Sequence, residues 1–248
     1  MSLNKLVTVC TIACNAEDTL SRFFNWVYTR FEHIVIVTSE SEDNTVEIVQ
    51  NFVAVRPERF THIHKEMSSF AAHKQLSLDA APTEWKLIVD ADEIFEEQDW
   101  DKTIDNMPSN VNMISFPRYN LQKDEKHYHK ESYPDFQMRL VNSKVKFDKS
   151  KPVHETLLGE GPSYWMTRDG AVTKILKSDP HIIHWGHLRA EKDLKMKSIM
   201  RTKYAIWDRM DGAQLLKSDN WFAERNEKWD EQIKELPEST YLLVKQHL

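Results

Sequence analysis

Strand-like and helix-like segments alternate along the first part of the chain, and this order restricts the fold more than any other feature of the sequence. The runs Leu6–Ile12, Ile34–Val37 and Trp85–Val89 are short, apolar and rich in β-branched residues, as buried strands are. Apolar residues in Glu17–Thr29 and Asn44–Val55 recur at helical spacing. This alternation predicts an α/β fold with a mainly parallel sheet.

The pattern changes after Pro108. Up to that point the predicted order continues with a strand at Thr61–His64 and a helix at Phe70–Ala80. Beyond it, strand-like runs at Asn112–Phe116 and Phe136–Val141 flank a polar loop. Such a pair of runs predicts a mixed or antiparallel second half.

The apolar run Trp85–Val89 ends in the acidic tetrad Asp90-Ala91-Asp92-Glu93. Ligands of open α/β sheets collect beyond the carboxyl ends of the strands. In a strictly extended chain Asp90 and Asp92 would face the same side. Their oxygens suit Mg²⁺ or Mn²⁺, which take their other ligands from water and phosphate. The alternative is a solvated acidic turn that joins a strand to a helix.

Composition argues against several classes of protein. The net charge of -6 is not that of a general nucleic-acid binder. No apolar stretch approaches the roughly 20 residues that span a bilayer. Only five glycines occur, and no glycine-rich phosphate loop is present, so a dinucleotide-binding or P-loop protein is not expected. Cys10 and Cys14 are expected to be small buried thiols, which fits a reducing cytoplasm, and no secretory signal is apparent.

Several stretches of the sequence occur in a characteristic order and spacing. They are Cys14–Leu20, Ser41–Thr45, Phe70–Gln75, Asp90–Glu93, Tyr133–Leu140, Val153–Glu155 and Ile183–Arg189. Together they resemble inverting family 2 glycosyltransferases, particularly small cytoplasmic members of lipopolysaccharide and other surface-glycan synthesis. The resemblance implies the GT-A fold: a mainly parallel central sheet flanked by helices, a mixed second half and a helical C-terminus. The tetrad then corresponds to the DxD motif of that family.

The sequence departs from the family pattern after the second strand. Family members usually carry one or two aspartates there, where a carboxylate can accept from the nucleotide base. Thr38 and Ser39 occupy those places in this chain. The identity of the base therefore stays open.

The resemblance implies a divalent cation, Mn²⁺ or Mg²⁺, that neutralises the diphosphate of a nucleotide-sugar donor. Asp92 would be the principal metal ligand, and Asp90 would contact the ribose or the metal shell. His184 would be a supplementary metal or diphosphate ligand, with a satisfied core histidine as the alternative. His181, His184 and His187 recur every third residue, which suggests zinc, but the surrounding sequence is strand-like and argues against it.

The resemblance also implies a set of donor contacts. These are Asn15, Glu17, Asp43, Lys74, Asp90, Arg139 and Arg189. Glu17 and Asp43 would accept from the nucleoside, or would instead stabilise helix N-termini. Lys74 and Arg139 would bind phosphate oxygens, with solvated surface charges as the alternative.

Glu155 is the candidate general base implied by the resemblance, and Asp135 is its rival. The base would take a proton from an acceptor hydroxyl that attacks from the face opposite the diphosphate, which gives inversion. For Glu155, a surface carboxylate in a loop is the alternative.

We therefore expect a metal-dependent enzyme that moves a sugar from a nucleotide diphosphate to a glycan or lipid-linked acceptor. A catalytically silent sugar-nucleotide or glycan-binding protein is the second hypothesis, and a nucleotidyltransferase is the third. We expect no nucleic-acid partner, and we expect the protein to be cytoplasmic. Peripheral contact at the inner face of the membrane and the oligomeric state both stay open. We expect a catalytic domain at 1–189, with a nucleotide-binding half (1–107) and an acceptor half (108–189). We expect a helical extension at 190–248 to pack on that domain. Pro237 is expected to open a last short helix within this extension.

Overall fold

A computed structural model describes residues 3–109, 111–148, 157–158, 180–188 and 233–247. Glu155, Arg189 and most of the helical extension expected at 190–248 lie outside the described residues. Within the described ranges, no helix has both the length and the apolar character that a membrane crossing requires.

The described chain forms strands and helices in the alternating order that the sequence predicts. In chain order they are β1 (Asn4–Ala13), α1 (Glu17–Tyr28), β2 (Phe31–Thr38), α2 (Thr45–Val55), β3 (Phe60–His64), α3 (Phe70–Asp79), β4 (Trp85–Ile88), β5 (Glu93–Phe95), α4 (Trp100–Asp105), β6 (Met113–Asn120), β7 (His127–His129), β8 (Asp135–Asn142), β9 (Lys146–Phe147), β10 (Leu157–Leu158), β11 (Ile182–His184), β12 (Ile233–Glu235) and α5 (Glu238–Gln246). β6 continues past the predicted end at Phe116, because Pro117 and Arg118 still pair with Phe136 and Asp135 of β8.

Eight of these strands form one mixed sheet in the order β3-β2-β1-β4-β8-β6-β11-β5. β3, β2, β1 and β4 are parallel, whereas β8 runs antiparallel to both of its neighbours, β4 and β6. The chain passes from β1 outward to β2 and β3 and returns to β4 on the other side of β1. The strand order therefore reverses beside β1, and the carboxyl ends of β1 and β4 flank the crevice where open α/β sheets bind ligands.

Successive strand residues feed two hydrophobic cores on opposite faces of the sheet. Ile34 and Ile36 of β2 pack in the same cluster as Phe24 of α1, whereas Val35 packs in the cluster that contains Leu78 of α3. This alternation follows from the two-residue period of a strand. Helices therefore cover both faces and hold the carboxyl edge in place.

The last described helix, α5, packs into the larger core through Leu243 and Val244. Its N-cap is Pro237, as the sequence predicts. Thr240 Oγ1 also donates a hydrogen bond of 2.5 Å to Glu96 Oε1, just after β5. The described end of the C-terminal region is thus attached to the sheet.

The two cysteines differ in their surroundings, although both are free thiols. Cys10 is buried, as expected, and burial raises the pKa of its thiol well above the ordinary value. Cys14 is only partly buried, contrary to the expectation, because it lies just past the carboxyl end of β1. Its Sγ donates to the carbonyl oxygen of Glu40 at 3.3 Å.

Candidate active site

The acidic tetrad forms a turn between β4 and β5, so the extended geometry considered from the sequence is not formed. The backbone N–H of Glu93 donates to the carbonyl oxygen of Asp90 at 2.9 Å, which closes the turn. The N–H of Trp185, just after β11, donates to the carbonyl oxygen of Asp92 at 2.9 Å. The side chains of Asp90 and Asp92 consequently have different partners.

Asp90 forms ion pairs with two basic side chains from distant parts of the chain. Lys74 Nζ of α3 lies 2.9 Å from Oδ1, and Arg139 Nη2 of β8 lies 2.8 Å from Oδ2. Burial alone would raise the pKa of Asp90, but the charges of Arg139 and Lys74 lower it far below the ordinary value. Lys74 and Arg139 are themselves buried, so the alternative of solvated surface charges is wrong.

Arg139 reaches the tetrad because β8 carries a bulge at this residue. Leu140 pairs with Ile114 and Met138 pairs with Ser115, so Arg139 is the extra residue between two consecutive pairs. Bulges re-aim a side chain and are frequent beside active sites. Here the bulge directs a guanidinium toward the carboxyl end of β4.

Glu93 is the point where two guanidinium groups converge. Its Oε1 accepts from Arg139 Nη2 and from Arg118 Nη1, both at 2.7 Å, and its side chain is 0% exposed. Sequence reasoning assigned no role to Glu93 or Arg118. Two signals were present: a third carboxylate in the tetrad, and an arginine inside the mainly apolar stretch Met113–Tyr119.

Asp135, at the start of β8, is held by several donors. Arg118 Nη2 lies 2.6 Å from Oδ2, Asn120 Nδ2 donates to the same oxygen at 2.9 Å, and Gln137 Nε2 donates to Oδ1 at 2.7 Å. Burial by itself raises the pKa of Asp135, but the charge of Arg118 and these hydrogen bonds bring it below the ordinary value. A carboxylate stabilised in this way is a weaker proton acceptor.

His184, at the end of β11, lies between Asn120 and Asp92. Its Nδ1 is 2.7 Å from Asn120 Oδ1, and its Nε2 is 3.6 Å from Asp92 Oδ2. A Cβ atom at Gly186 would come within 2.2 Å of His184 Nε2 and 2.9 Å of Asp92 Oδ2. Glycine at this position therefore preserves the space beside the imidazole and the carboxylate.

Asp92 and His184 fit the donor set of a Mn²⁺ or Mg²⁺ site that is completed by substrate. Within the described ranges, His, Cys, Asp and Glu form no cluster of three or more suited to a metal ion. One carboxylate and one imidazole are nevertheless enough for cations that take phosphate and water oxygens as their remaining ligands. The zinc alternative is not supported, because His181 instead contacts Glu96 Oε2 at 2.9 Å and Tyr133 Oη at 2.9 Å.

The acidic residues after β1 and β2 cap helices. Asp43 Oδ2 accepts from the backbone N–H of Glu17 at 3.1 Å, at the start of α1. Glu17 Oε2 in turn accepts from the N–H of Asn44 at 3.0 Å, at the start of α2. Asn15 adopts a left-handed φ of 48°, and its Oδ1 accepts from the N–H of Glu42 at 2.7 Å. These three residues thus join the two loops, and their contact with a nucleoside stays a prediction.

The two residues that replace the expected aspartates, Thr38 at the end of β2 and Ser39 just after it, are buried. Thr38 Oγ1 lies 2.8 Å from His62 Nε2 and 3.0 Å from His64 Nδ1, both on β3. Ser39 is 1% exposed. A hydroxyl flanked by imidazoles therefore stands where the resemblance leads us to expect a carboxylate.

Several solved structures are similar to part of this chain. The S. aureus TarS 1-349 structure is 22% identical with a TM-score of 0.39, over 48% of this chain and 37% of that one. The mannosyltransferase PcManGT from Pyrobaculum calidifontis, in complex with GDP-Man and Mn²⁺, is 22% identical with a TM-score of 0.40, over 46% of this chain and 35% of that one. Glucosyl-3-phosphoglycerate synthase from Mycobacterium tuberculosis, with Mn²⁺, UDP and glucosyl-3-phosphoglycerate, is 16% identical with a TM-score of 0.29, over 36% of this chain and 34% of that one.

The chain spans little more than a third of each of these proteins, and similarity at this level assigns no ligand to it. A search of curated proteins gave no significant match. The sequence model described as "Glycosyl transferase family 2" matches residues 8–176, which is more than half of the chain. The sheet is mixed, has helices on both faces and carries charged side chains at its carboxyl edge. Because the family model also matches more than half of the chain, the chain belongs to glycosyl transferase family 2, with the GT-A fold.

Proposed function

We propose that this protein transfers a sugar from a nucleotide-diphosphate donor to a glycan or lipid-linked acceptor, with a divalent cation and with inversion at the anomeric carbon. The observation that carries the proposal is the meeting of Asp92, His184 and the space beside Gly186 at the carboxyl end of β4. Lys74 and Arg139 form ion pairs with Asp90 in the same tetrad. Cation ligands and phosphate-binding groups thus share one edge.

The charges at this edge suit a diphosphate only after a cation is added. The connected side chains comprise three bases and four carboxylates, namely Lys74, Arg118, Arg139, Asp90, Asp92, Glu93 and Asp135. Their sum is one negative charge, and a divalent cation would make it one positive charge. Donor and cation are therefore expected to bind together.

Asp92 and His184 are the proposed ligands of Mn²⁺ or Mg²⁺, which would stabilise the charge that develops on the leaving diphosphate. Asp90 is proposed to contact the ribose or the metal shell while it holds Lys74 and Arg139. Those two bases are proposed to bind phosphate oxygens, Arg139 as a planar fork and Lys74 as a point charge.

Glu155 is the proposed general base, which removes a proton from the acceptor hydroxyl. Asp135 is the less suitable base, because Arg118, Asn120 and Gln137 already donate to its two oxygens. Arg189 is proposed to approach the diphosphate, and Asn15, Glu17 and Asp43 the nucleoside. The proposed acceptor half is 108–189, and the nucleotide-binding half is 1–107.

Thermal stabilisation by nucleotides tests the donor site. We expect one of UDP, GDP and dTDP to raise the melting temperature only with Mn²⁺, because ligand binding to the folded state raises apparent stability. Asp92→Asn should abolish this shift, whereas Asp105→Asn, an exposed carboxylate on α4, should retain it. Stabilisation that is equal with and without Mn²⁺ would contradict a metal-dependent site.

Gly186→Ala tests the space beside the two metal ligands. The added methyl group should fill that space. The nucleotide concentration needed for Mn²⁺-dependent stabilisation should then rise at least tenfold. Circular dichroism and the melting temperature without ligand will show whether the variant is folded. A folded Gly186→Ala that binds nucleotide and Mn²⁺ normally would exclude this location.

Product analysis separates an enzyme from a silent binding protein. With the donor identified, glycan and lipid-linked acceptors are supplied in turn, and NMR reads the anomeric configuration of the new bond. Inversion and loss of turnover in Glu155→Gln are the expected results. Nucleotide binding without transfer to either acceptor class would favour the silent binding protein, and retention would overturn the inverting mechanism.

A further inference from the structure

The side-chain amide of Asn120 lies between a carboxylate and an imidazole. Its Nδ2 donates to Asp135 Oδ2 at 2.9 Å, and its Oδ1 is 2.7 Å from His184 Nδ1. The three residues stand on the adjacent strands β8, β6 and β11, where His184 pairs directly with Asn120. Both contacts run laterally across the sheet toward Asp92.

The direction of each hydrogen bond in this row is determined at one end. Asp135 is paired with Arg118 Nη2 at 2.6 Å, which keeps its carboxylate ionised, and an ionised carboxylate only accepts. The NH₂ group of Asn120 must therefore face Asp135, and its carbonyl oxygen must face His184. Because that oxygen only accepts, the proton of His184 must reside on Nδ1.

A neutral imidazole with its proton on Nδ1 carries its lone pair on Nε2. Nε2 is the atom that lies 3.6 Å from Asp92 Oδ2, a separation too long for a hydrogen bond, and it borders the space that Gly186 preserves. Metal-binding histidines characteristically donate their other N–H to an oxygen, which orients the ring and sets its tautomer.

We infer that Asp135 and Asn120 are positioning residues, which fix His184 in the Nδ1–H tautomer so that Nε2 can bind a divalent cation together with Asp92. The cation-binding part rests on the proposed function, whereas the tautomer does not. This gives Asp135 a role other than proton acceptor. Pairing of β6 with β11 as far as Asn120 brings the amide beside His184.

Nitrogen NMR of the metal-free protein tests the tautomer directly. Long-range ¹H–¹⁵N correlations distinguish protonated from bare ring nitrogens, and the spectrum of His184→Gln identifies His184 among the eleven histidines. We expect Nδ1 protonated and Nε2 bare in the wild type. A wild type with the proton on Nε2 would overturn the inference.

Three variants test the row of hydrogen bonds. Asn120→Leu removes the acceptor of His184 Nδ1, and Asp135→Asn lets the Asn120 amide turn over, so both should give a mixture of tautomers. Gln137→Leu is the matched control, because it also removes a hydrogen bond that is donated to Asp135, but to the other oxygen, Oδ1. It should keep the wild-type spectrum, and an unchanged tautomer in folded Asn120→Leu and Asp135→Asn would overturn the inference.

Mn²⁺ titration of the same proteins, in the presence of the stabilising nucleotide, tests the consequence for metal binding. Loss of such outer hydrogen bonds typically weakens metal binding about 10- to 100-fold, and we expect that loss in Asn120→Leu but not in Gln137→Leu. Equal Mn²⁺ affinity in the wild type and Asn120→Leu would overturn the positioning role. A wild type with the expected tautomer but no Mn²⁺ binding would support the tautomer assignment and overturn the metal-dependent function.

Discussion

Two groups of acidic residues follow strands at the same edge of the sheet, yet their partners differ. Asp43 and Glu17, after β2 and β1, accept from backbone N–H groups at the starts of helices. Asp90 and Glu93, after β4, accept from lysine and arginine side chains. An acidic residue after a strand is thus the same sequence signal in both places, and what faces it decides whether it accepts from the start of a helix or forms an ion pair with a basic side chain.

The comparison predicts its largest effect at Glu93. In Glu93→Gln the buried guanidinium group of Arg139 and the partly buried one of Arg118 lose their shared carboxylate, so we expect a loss of about 3–5 kcal/mol in the free energy of unfolding. Denaturant unfolding measures it. Glu17→Gln, which keeps an acceptor oxygen for Asn44, is the matched control and should lose less than about 1 kcal/mol. Equal losses would remove the distinction between the two groups.

The next effect concerns turnover. Asp92→Asn should lower the rate of sugar transfer about 10²- to 10³-fold, as loss of a major electrostatic contact to a developing charge does. Asp43→Ala should lower it less than about tenfold, because Asp43 contacts backbone N–H groups and its proposed nucleoside contact lies away from the reacting atoms, so saturating donor offsets its loss. Initial rates at saturating donor and Mn²⁺ decide between them. A larger loss in Asp43→Ala would assign Asp43 to the chemistry.

A smaller effect is expected on stability when a cap is removed. Asp43→Ala leaves the N–H groups of Glu17 and Thr45 without their acceptor and should cost about 0.5–2 kcal/mol in the free energy of unfolding. Denaturant unfolding at neutral pH measures the loss. No change in stability would show that the cap contributes nothing and would weaken the first half of the comparison.

The smallest effect is the pH dependence of stability. The pKa of Asp90 and the pKa of Asp135 are lower in the folded protein than in the unfolded chain, so their contribution is complete above about pH 4 and is lost as pH falls toward the folded values. Unfolding measured between pH 6 and pH 3 should show this decline. In Asp135→Asn the fall in the free energy of unfolding over this pH range should be smaller by on the order of 1 kcal/mol. An unchanged decline would mean that the partners of Asp135 do not stabilise its ionised form.

The sequence was sufficient for the framework, because strands and helices depend on local periodicity. It located β4 and the acidic tetrad at the edge where the charged side chains meet. It also identified both alternatives for Glu17 and Asp43, although choosing between them requires the position of a neighbouring loop.

The remaining parts of the site depend on contacts between distant residues. The residues around Arg139 do not predict a bulge, because a bulge is an extra residue in one strand relative to its partner strand. Arg118 and Asn120 fall beyond the predicted end of β6, where pairing with β8 and β11 extends the strand. Their partners Glu93 and His184 are remote in the chain, so local pattern gives no sign of them.

The insertion of β11 between β6 and β5 has a consequence for the order of assembly during translation. Among the described strands, β5 is joined to the sheet only through β11, and Glu93 pairs with His184, which is made roughly ninety residues later. At the usual speed of synthesis that interval is roughly 5–20 s. A nascent chain therefore carries Glu93, Arg118 and Arg139 before β11 has been synthesised. The site can form only once β11 has emerged from the ribosome, because β11 joins the strand of Glu93 to the sheet.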